Sequence, residues 1–159
     1  INFLINLLEK YVTREINKLI KNNIKIKIIG NVNKFPESLK LKLKQAEKLT
    51  ETNDKIQINV ALNYGSKEEI IKSIKTLKKF NLTVNEKNLS NNLYTFNIPD
   101  PEILIRTGNR NRLSNFLLWQ LSYTEIYFEK KLWPDFKAND FHKIISNFSK
   151  VRRNFGGIK

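Results

Sequence analysis

At 159 residues, 40% of them hydrophobic, the chain is long and apolar enough to bury one core, which excludes wholesale disorder. It has no cysteine and a single histidine, His142, which excludes disulfides, thiolate catalysis and zinc sites built on cysteines or several histidines. The formal charge of +14 and the pI near 9.9 favour anionic partners, but the lysines are spread along the chain (IKIK, LKLKLK, IKSIKTLKK), as a solvated surface in a Lys-, Asn- and Ile-rich composition would have them.

No apolar run reaches the roughly 20 residues of a membrane-spanning helix. The opening INFLINLLEKYV has neither the basic flank nor the small-residue cleavage site of a signal peptide. Residues 2 to 21 carry Phe3, Leu4, Leu7, Leu8, Tyr11, Val12, Ile16, Leu19 and Ile20 at helical spacing, which predicts a helix with one broad apolar face. IKIKII (24–29) is β-branched and alternating, a strand that ends at Gly30. Pro36 suits the first turn of a helix over ESLKLKLKQAEKLTE (37–51). KIQINVALNYG (55–65) reads as a second strand giving way to Asn63 and Gly65. SKEEIIKSIKTLKKF (66–80) predicts an amphipathic helix in which Ser66 and Glu69 form a capping box. NEKNLSNNL (85–93) predicts one short helix.

After PDP (99–101), ILIRT reads as a third strand. SNFLLWQLSY (114–123) predicts a short buried helix capped by Ser114, and EIYF (125–128) a fourth strand. The last helix is expected from Asp140 to Asn154, ending at Gly156 and Gly157. Strands alternating with helices imply an α/β fold, a parallel central sheet with flanking helices, in a single domain over 1–159. Such sheets bind ligands beyond the carboxyl ends of their strands, where Gly30–Asn31, Asn63–Gly65 and Arg106–Gly108 fall. There is no P-loop and no GxGxxG.

IRTGNRNRLSNF (105–116) concentrates cations and hydrogen-bond donors at one of those ends. Arg106 leaves a buried strand, Gly108 lets the backbone approach a ligand, Arg112 returns the chain and Ser114 offers a hydroxyl. Guanidinium groups pair with phosphate oxygens, so the pattern fits a phosphate site. A solvated turn in which Ser114 merely caps a helix fits the composition equally. The following FLLWQL is apolar, so Phe116, Leu117, Leu118, Trp119 and Leu121 are expected to be buried. A charged pocket beside an apolar wall suits an amphiphile with an anionic head.

IRTGNRNRLSNFLLWQLSYTEIYFEKKLWPDF resembles the C-terminal signature of the cis-prenyltransferases, the undecaprenyl diphosphate synthase family. NVALNYGSKEEI, NNIKIKIIGNVNKFPESL and the closing RRNFGG resemble further blocks of that family, in order. The resemblance implies repeated cis-condensation of isopentenyl diphosphate onto an allylic diphosphate such as farnesyl diphosphate, giving a long-chain polyprenyl diphosphate (undecaprenyl or dolichol-type). It implies Mg2+ as cofactor, a homodimer and peripheral membrane association in the cytoplasm, or at an organelle if the source is eukaryotic. It assigns Arg106, Arg112 and Ser114, with Gly108, to the diphosphate of isopentenyl diphosphate, and Glu125 to magnesium across the dimer interface. Arg153 and Gly156–Gly157 match a C-terminal tail that reaches the partner's diphosphate site. Phe3, Leu4, Leu7 and Leu8 become candidates for the wall of a tunnel housing the growing chain. Trp119, Tyr123, Trp133 and Phe136 are expected in the core or the dimer interface rather than on a ligand.

Two departures stand out. Where the family carries a second glycine and a glutamate in the loop, this chain has Asn109 and Arg110. The family's Asp-Gly-Asn-Gly-Arg-Trp motif, with its catalytic aspartate, does not occur, and neither does methionine. The expectation is therefore a C-terminal portion carrying the isopentenyl diphosphate half of the site and inactive by itself. The alternatives are a non-catalytic subunit of a heteromeric cis-prenyltransferase and a basic nucleic-acid-binding domain; the family reading has no nucleic-acid partner.

Overall fold

A computed structural model describes residues 2–152. In chain order it contains α1 (Asn2–Lys21), β1 (Ile24–Ile29), α2 (Glu37–Leu49), β2 (Ile56–Ala61), α3 (Ser66–Lys79), α4 (Glu86–Ser90), β3 (Ile103–Arg106), β4 (Glu125–Phe128) and α5 (Ala138–Phe148). Short 3-10 turns at Val32–Lys34 and Trp133–Asp135 complete it. The strands are parallel, as expected, but among the described residues they form two separate pairs instead of one central sheet. β1 pairs with β2 from Ile24↔Ile56 to Ile29↔Ala61, and β3 pairs with β4 from Ile103↔Glu125 to Arg106↔Phe128.

The LKLKLK run shows how local alternation yields to tertiary context. Its period of two would suit a strand, yet α2 takes it as helix from Pro36, which occupies the N-cap position. Leu39, Leu43 and Ala46 then share one helical face and are buried, while Leu41 points to solvent. The helix stops at Leu49, two residues short of the expected end, because Thr50 turns its hydroxyl back onto the Ala46 carbonyl at 2.9 Å. That hydroxyl also accepts from the Ile26 amide (3.1 Å), and Glu47 Oε1 accepts from the Ile28 amide (2.8 Å). Glu47 of α2 and its C-cap residue Thr50 thus satisfy backbone donors of β1 that no strand pairs among the described residues. α1 packs on α2 and both lie against β1, while α3 packs on α4.

Gly30 ends β1 with φ +114°, and a Cβ there would sit 2.2 Å from the Leu62 carbonyl oxygen. Gly30→Ala is therefore expected to cost about 3 kcal/mol, lowering the thermal midpoint by roughly 10 °C in a calorimetric scan. The clash is with backbone atoms of Leu62, so the strand end itself would have to shift.

α5 is shorter than expected, and its described end is capped at Ser149, not at a glycine. Its start is held by Asp140, which accepts from Lys137 N at 2.9 Å and from Lys131 Nζ at 2.6 Å. The Lys131 hydrogen bond first, then the Lys137 amide, hold this carboxyl below the usual carboxylate range. A depressed folded-state pKa contributes stability above the unfolded-state pKa and loses it as pH falls through the folded one. Thermal melts taken from pH 6 down to about pH 3 should therefore show a shallower acid limb for Asp140→Asn than for the parent.

Candidate functional site

β3 delivers Arg106 to its carboxyl end, where Nη1 donates to the Arg112 carbonyl and to Ser114 Oγ (3.1 Å). One side chain thereby folds the intervening loop back onto the strand. The loop is pinned from the other side as well. Gly108 N donates to the Lys131 carbonyl at 2.7 Å, Asn109 N to that of Glu129 at 3.1 Å, and Glu129 N to that of Arg106 at 2.8 Å. This path needs two successive left-handed residues, Gly108 (φ +92°) and Asn109 (φ +55°). Asparagine tolerates that region better than other side chains, so Asn109 keeps the turn that a second glycine would make. Arg110 is exposed, and its Nη1 donates to the Asn109 carbonyl at 3.4 Å.

The helix expected over 114–123 does not form. Ser114 (φ +50°), Asn115 (φ +63°) and Leu117 (φ +45°) are left-handed, and the segment is a run of turns. Those dihedrals let Asn115 reach α3: its carbonyl accepts from Ser66 N and its Oδ1 from Lys67 N, both at 2.9 Å. The first turn of α3 is thus capped from a distant loop, and the expected Ser66–Glu69 capping box is absent. Ser66 Oγ instead accepts from Leu118 N at 3.0 Å. The expected burial is also only partial: Leu121 is buried, Phe116, Leu117 and Trp119 are half-buried, and Leu118 is exposed because the turns rotate it outward.

Glu69, 2% exposed, accepts from Tyr64 OH (2.5 Å), Tyr94 N (2.7 Å) and Gln120 Nε2 (3.3 Å). Burial first, then Glu69 itself, push the Tyr64 phenol well above the usual tyrosine range, so it stays protonated and donates. The Tyr64 ring meets Phe116 edge-on at 5.8 Å and Tyr94 at 6.4 Å. A buried carboxylate therefore ties the end of β2 to the segment that follows the arginine loop. Sequence reading missed this role because Glu69 sits where a capping box would place it. The carboxyl ends of β1 and β2 are joined in the same region: Asn63 Nδ2 donates to the Asn31 carbonyl at 2.7 Å and Asn31 Nδ2 to Glu68 Oε1 at 3.2 Å.

Leu104, Ile105, Arg106, Thr107, Leu113, Ser114 and Phe116 line a cavity of about 340 Å³. Its polar end is Arg106 with Ser114, and the rest of the wall is largely apolar. A guanidinium has five N–H donors, and Arg106 uses Nη1 on its own loop, so donors remain for an anion; Arg110 and Arg112 are exposed on the same loop.

The remaining expected residues fall elsewhere. Glu125 opens β4 opposite Ile103, three residues along the strands from Arg106, or about 10 Å. One chain does not bring the two together. Among the described residues no group of three or more acidic, histidine or cysteine side chains could hold a metal ion. Phe3 and Leu7 are exposed and Leu8 is half-buried. The Leu4 side chain, Arg153, Gly156 and Gly157 lie outside the described residues. Trp119 Nε1 donates to Ser90 Oγ at 3.0 Å, which suits a structural role. Trp133 stacks on Phe136 at 6.3 Å but is 75% exposed, and Tyr123 is exposed too, so neither belongs to the core of the chain.

Comparison with known proteins adds the family. A family model described as "Putative undecaprenyl diphosphate synthase" matches residues 1–156. An isoprenyl transferase from Prochlorococcus marinus is 43% identical over 166 residues, covering 100% of this chain and 61% of that protein. A ditrans,polycis-undecaprenyl-diphosphate synthase specific for (2E,6E)-farnesyl diphosphate, from Haemophilus influenzae, is also 43% identical, covering 100% of this chain and 70% of its own length. The crystal structure of "a probable undecaprenyl diphosphate synthase" from Campylobacter jejuni superposes with a TM-score of 0.89 at 36% identity, covering 98% of this chain and 74% of that one. The chain thus spans about three-fifths to seven-tenths of the length of these curated relatives.

Proposed function

The chain belongs to the undecaprenyl diphosphate synthase family, and from that premise we propose that it carries the isopentenyl diphosphate half of a cis-prenyltransferase site. The carrying observation is Arg106, bridging the Arg112 carbonyl and Ser114 Oγ at the polar end of a largely apolar cavity. Arg106 and Arg112 bind diphosphate oxygens, Ser114 donates its hydroxyl, and Leu104, Ile105, Leu113 and Phe116 exclude water around the C5 unit. In the condensation the allylic carbon–oxygen bond breaks and inorganic diphosphate leaves. The double bond of isopentenyl diphosphate forms the new carbon–carbon bond, and one proton is lost. The product is a longer cis-polyprenyl diphosphate.

The donor set suits magnesium in one respect: a single carboxylate, Glu125, is enough for an ion that takes most of its oxygens from diphosphate and water. When bound, Mg2+ neutralises diphosphate charge. The separation of Glu125 from Arg106 in one chain favours a homodimer in which Glu125 serves the partner's site. The exposed Tyr123, Leu132 and Trp133 supply apolar surface for that dimer. Two strand pairs, with Ile56 and Ile58 exposed on β2, support further parallel strands between β2 and β3 in the whole protein. Phe3, Leu7 and Leu8, exposed or half-exposed on α1, are then available to line the path of the hydrocarbon.

The Arg106–Arg112–Ser114 cluster favours this reading over a non-catalytic subunit, and the apolar wall favours it over a nucleic-acid domain. The complete protein, supplied with radiolabelled isopentenyl diphosphate, farnesyl diphosphate and Mg2+, should yield butanol-extractable polyprenyl diphosphate, while residues 1–159 alone should yield none. Absence of product from the complete protein, with the label unincorporated, would sink the proposal.

A further inference from the structure

The arginine loop is anchored at both ends, each to a different part of the fold. At its start, Gly108 N and Asn109 N donate to the carbonyls of Lys131 and Glu129, in the chain that follows β4. At its finish the partner is α3. The Asn115 carbonyl accepts from Ser66 N and Asn115 Oδ1 accepts from Lys67 N, both at 2.9 Å. Leu118 N adds a bond to Ser66 Oγ at 3.0 Å. Gly65 leaves room for this contact, since a Cβ there would stand 2.9 Å from Asn115 Nδ2. The β1–β2 and β3–β4 pairs share no ladder among the described residues. Contacts of this kind therefore set where the loop stands relative to the end of β2.

Ser114 lies between the two anchors, immediately before Asn115. Its φ is +50° and that of Asn115 is +63°. Asparagine enters the left-handed region readily, whereas serine does so at a cost and stays there only where its surroundings over-determine it. Here the next residue is tied to α3 by two hydrogen bonds, and the Ser114 hydroxyl is met by Arg106 Nη1 at 3.1 Å. The sequence SNFLLWQLSY by itself favours a capped helix, which would turn that hydroxyl onto an amide of its own segment and away from Arg106. Asn115 is exposed, so its hydrogen bonds exchange readily with water and contribute little to overall stability. What they fix is position. We propose that Asn115 is a positioning residue for the isopentenyl diphosphate site. By fastening the loop to the first turn of α3, it holds Ser114 left-handed with its hydroxyl beside Arg106. The inference rests on the prenyl-transfer reading and deepens it.

Steady-state kinetics of the complete protein test it, with isopentenyl diphosphate varied at saturating farnesyl diphosphate and Mg2+. Asn115→Ala should raise the Michaelis constant for isopentenyl diphosphate about fivefold, with the turnover number and the constant for farnesyl diphosphate within about twofold of the parent. Asn115→Gly accepts the left-handed backbone without strain and removes Oδ1; it should show most of the same rise, and it carries the test if the alanine variant folds poorly. Asn115→Asp keeps an acceptor oxygen at the start of α3 and should return the constant to within about twofold of the parent. In a Ser114→Ala background, Asn115→Gly should add less than about 1.5-fold, because the hydroxyl it positions is gone. An unchanged constant in Asn115→Gly overturns the inference. So does full additivity of the two substitutions, which would mark a residue acting independently of Ser114. A lowered thermal midpoint with unchanged kinetics makes Asn115 structural only and overturns it as well. A parent that incorporates no isopentenyl diphosphate removes the prenyl-transfer reading and this inference with it; a parent that turns over while Asn115→Gly matches it removes this inference alone.

Discussion

Arg106→Ala in the complete protein raises the Michaelis constant for isopentenyl diphosphate by about 100-fold, or about 2.7 kcal/mol, and changes the turnover number far less. The magnitude follows from hydrogen bonds between a guanidinium and a diphosphate, each contributing roughly 1.5–3 kcal/mol. The loss has two parts. The charge disappears, and so does the Nη1 bridge that holds the Arg112 carbonyl and Ser114 Oγ in place. Arg106→Lys separates them, because an ammonium keeps the charge without the planar fork, and its constant should fall between the two. A steady-state titration of isopentenyl diphosphate at saturating farnesyl diphosphate reads all three proteins. A constant unchanged in Arg106→Ala removes the loop from the site.

Glu69→Ala has the second largest effect, and it acts on both stability and binding. Removing the carboxylate takes the acceptor from Tyr64 OH and Tyr94 N in a partly buried setting and leaves Gln120 Nε2 only Thr95 Oγ1, at 3.0 Å. Unmet buried donors cost about 1–3 kcal/mol each; with some relaxation, a loss near 4 kcal/mol is expected in urea denaturation. Gln120 and Phe116 flank the arginine loop, so the loop loosens and the Michaelis constant for isopentenyl diphosphate rises by about tenfold. Glu69→Gln keeps the volume and one acceptor oxygen and should recover much of both. If Glu69→Ala weakens the fold while kinetics of the surviving native protein match the parent, the network is structural and does not position the loop.

How much of this was legible in the chain follows from the range of the forces involved. Helices and strands whose signals are local were readable, as were their order and the parallel α/β class: Ile24–Ile29, Asn2–Lys21 and Glu125–Phe128 fall where periodicity and β-branching put them. The clustering of Arg106, Arg112 and Ser114 around Gly108 was readable because a strand-ending arginine beside a turn-forming glycine is a short-range pattern, and Arg106 does reach the Arg112 carbonyl and Ser114 Oγ. What failed did so where a distant partner outbid the local one. SNFLLWQLSY has the composition of a capped helix, but Asn115 caps α3 instead, and the left-handed backbone this requires excludes a helix. Ser66 and Glu69 have the spacing of a capping box, but Leu118 and Tyr64 arrive from outside the helix and take their oxygens. Glu125 could be named from sequence but not placed relative to Arg106, since their separation depends on the pairing of β3 with β4. Composition and spacing, by themselves, determined most of the elements and the charge and donor content of the loop. Only the tertiary structure decided which side chains hold that loop in shape, because buried hydrogen bonds form between residues that chain folding, not sequence proximity, brings within 3 Å.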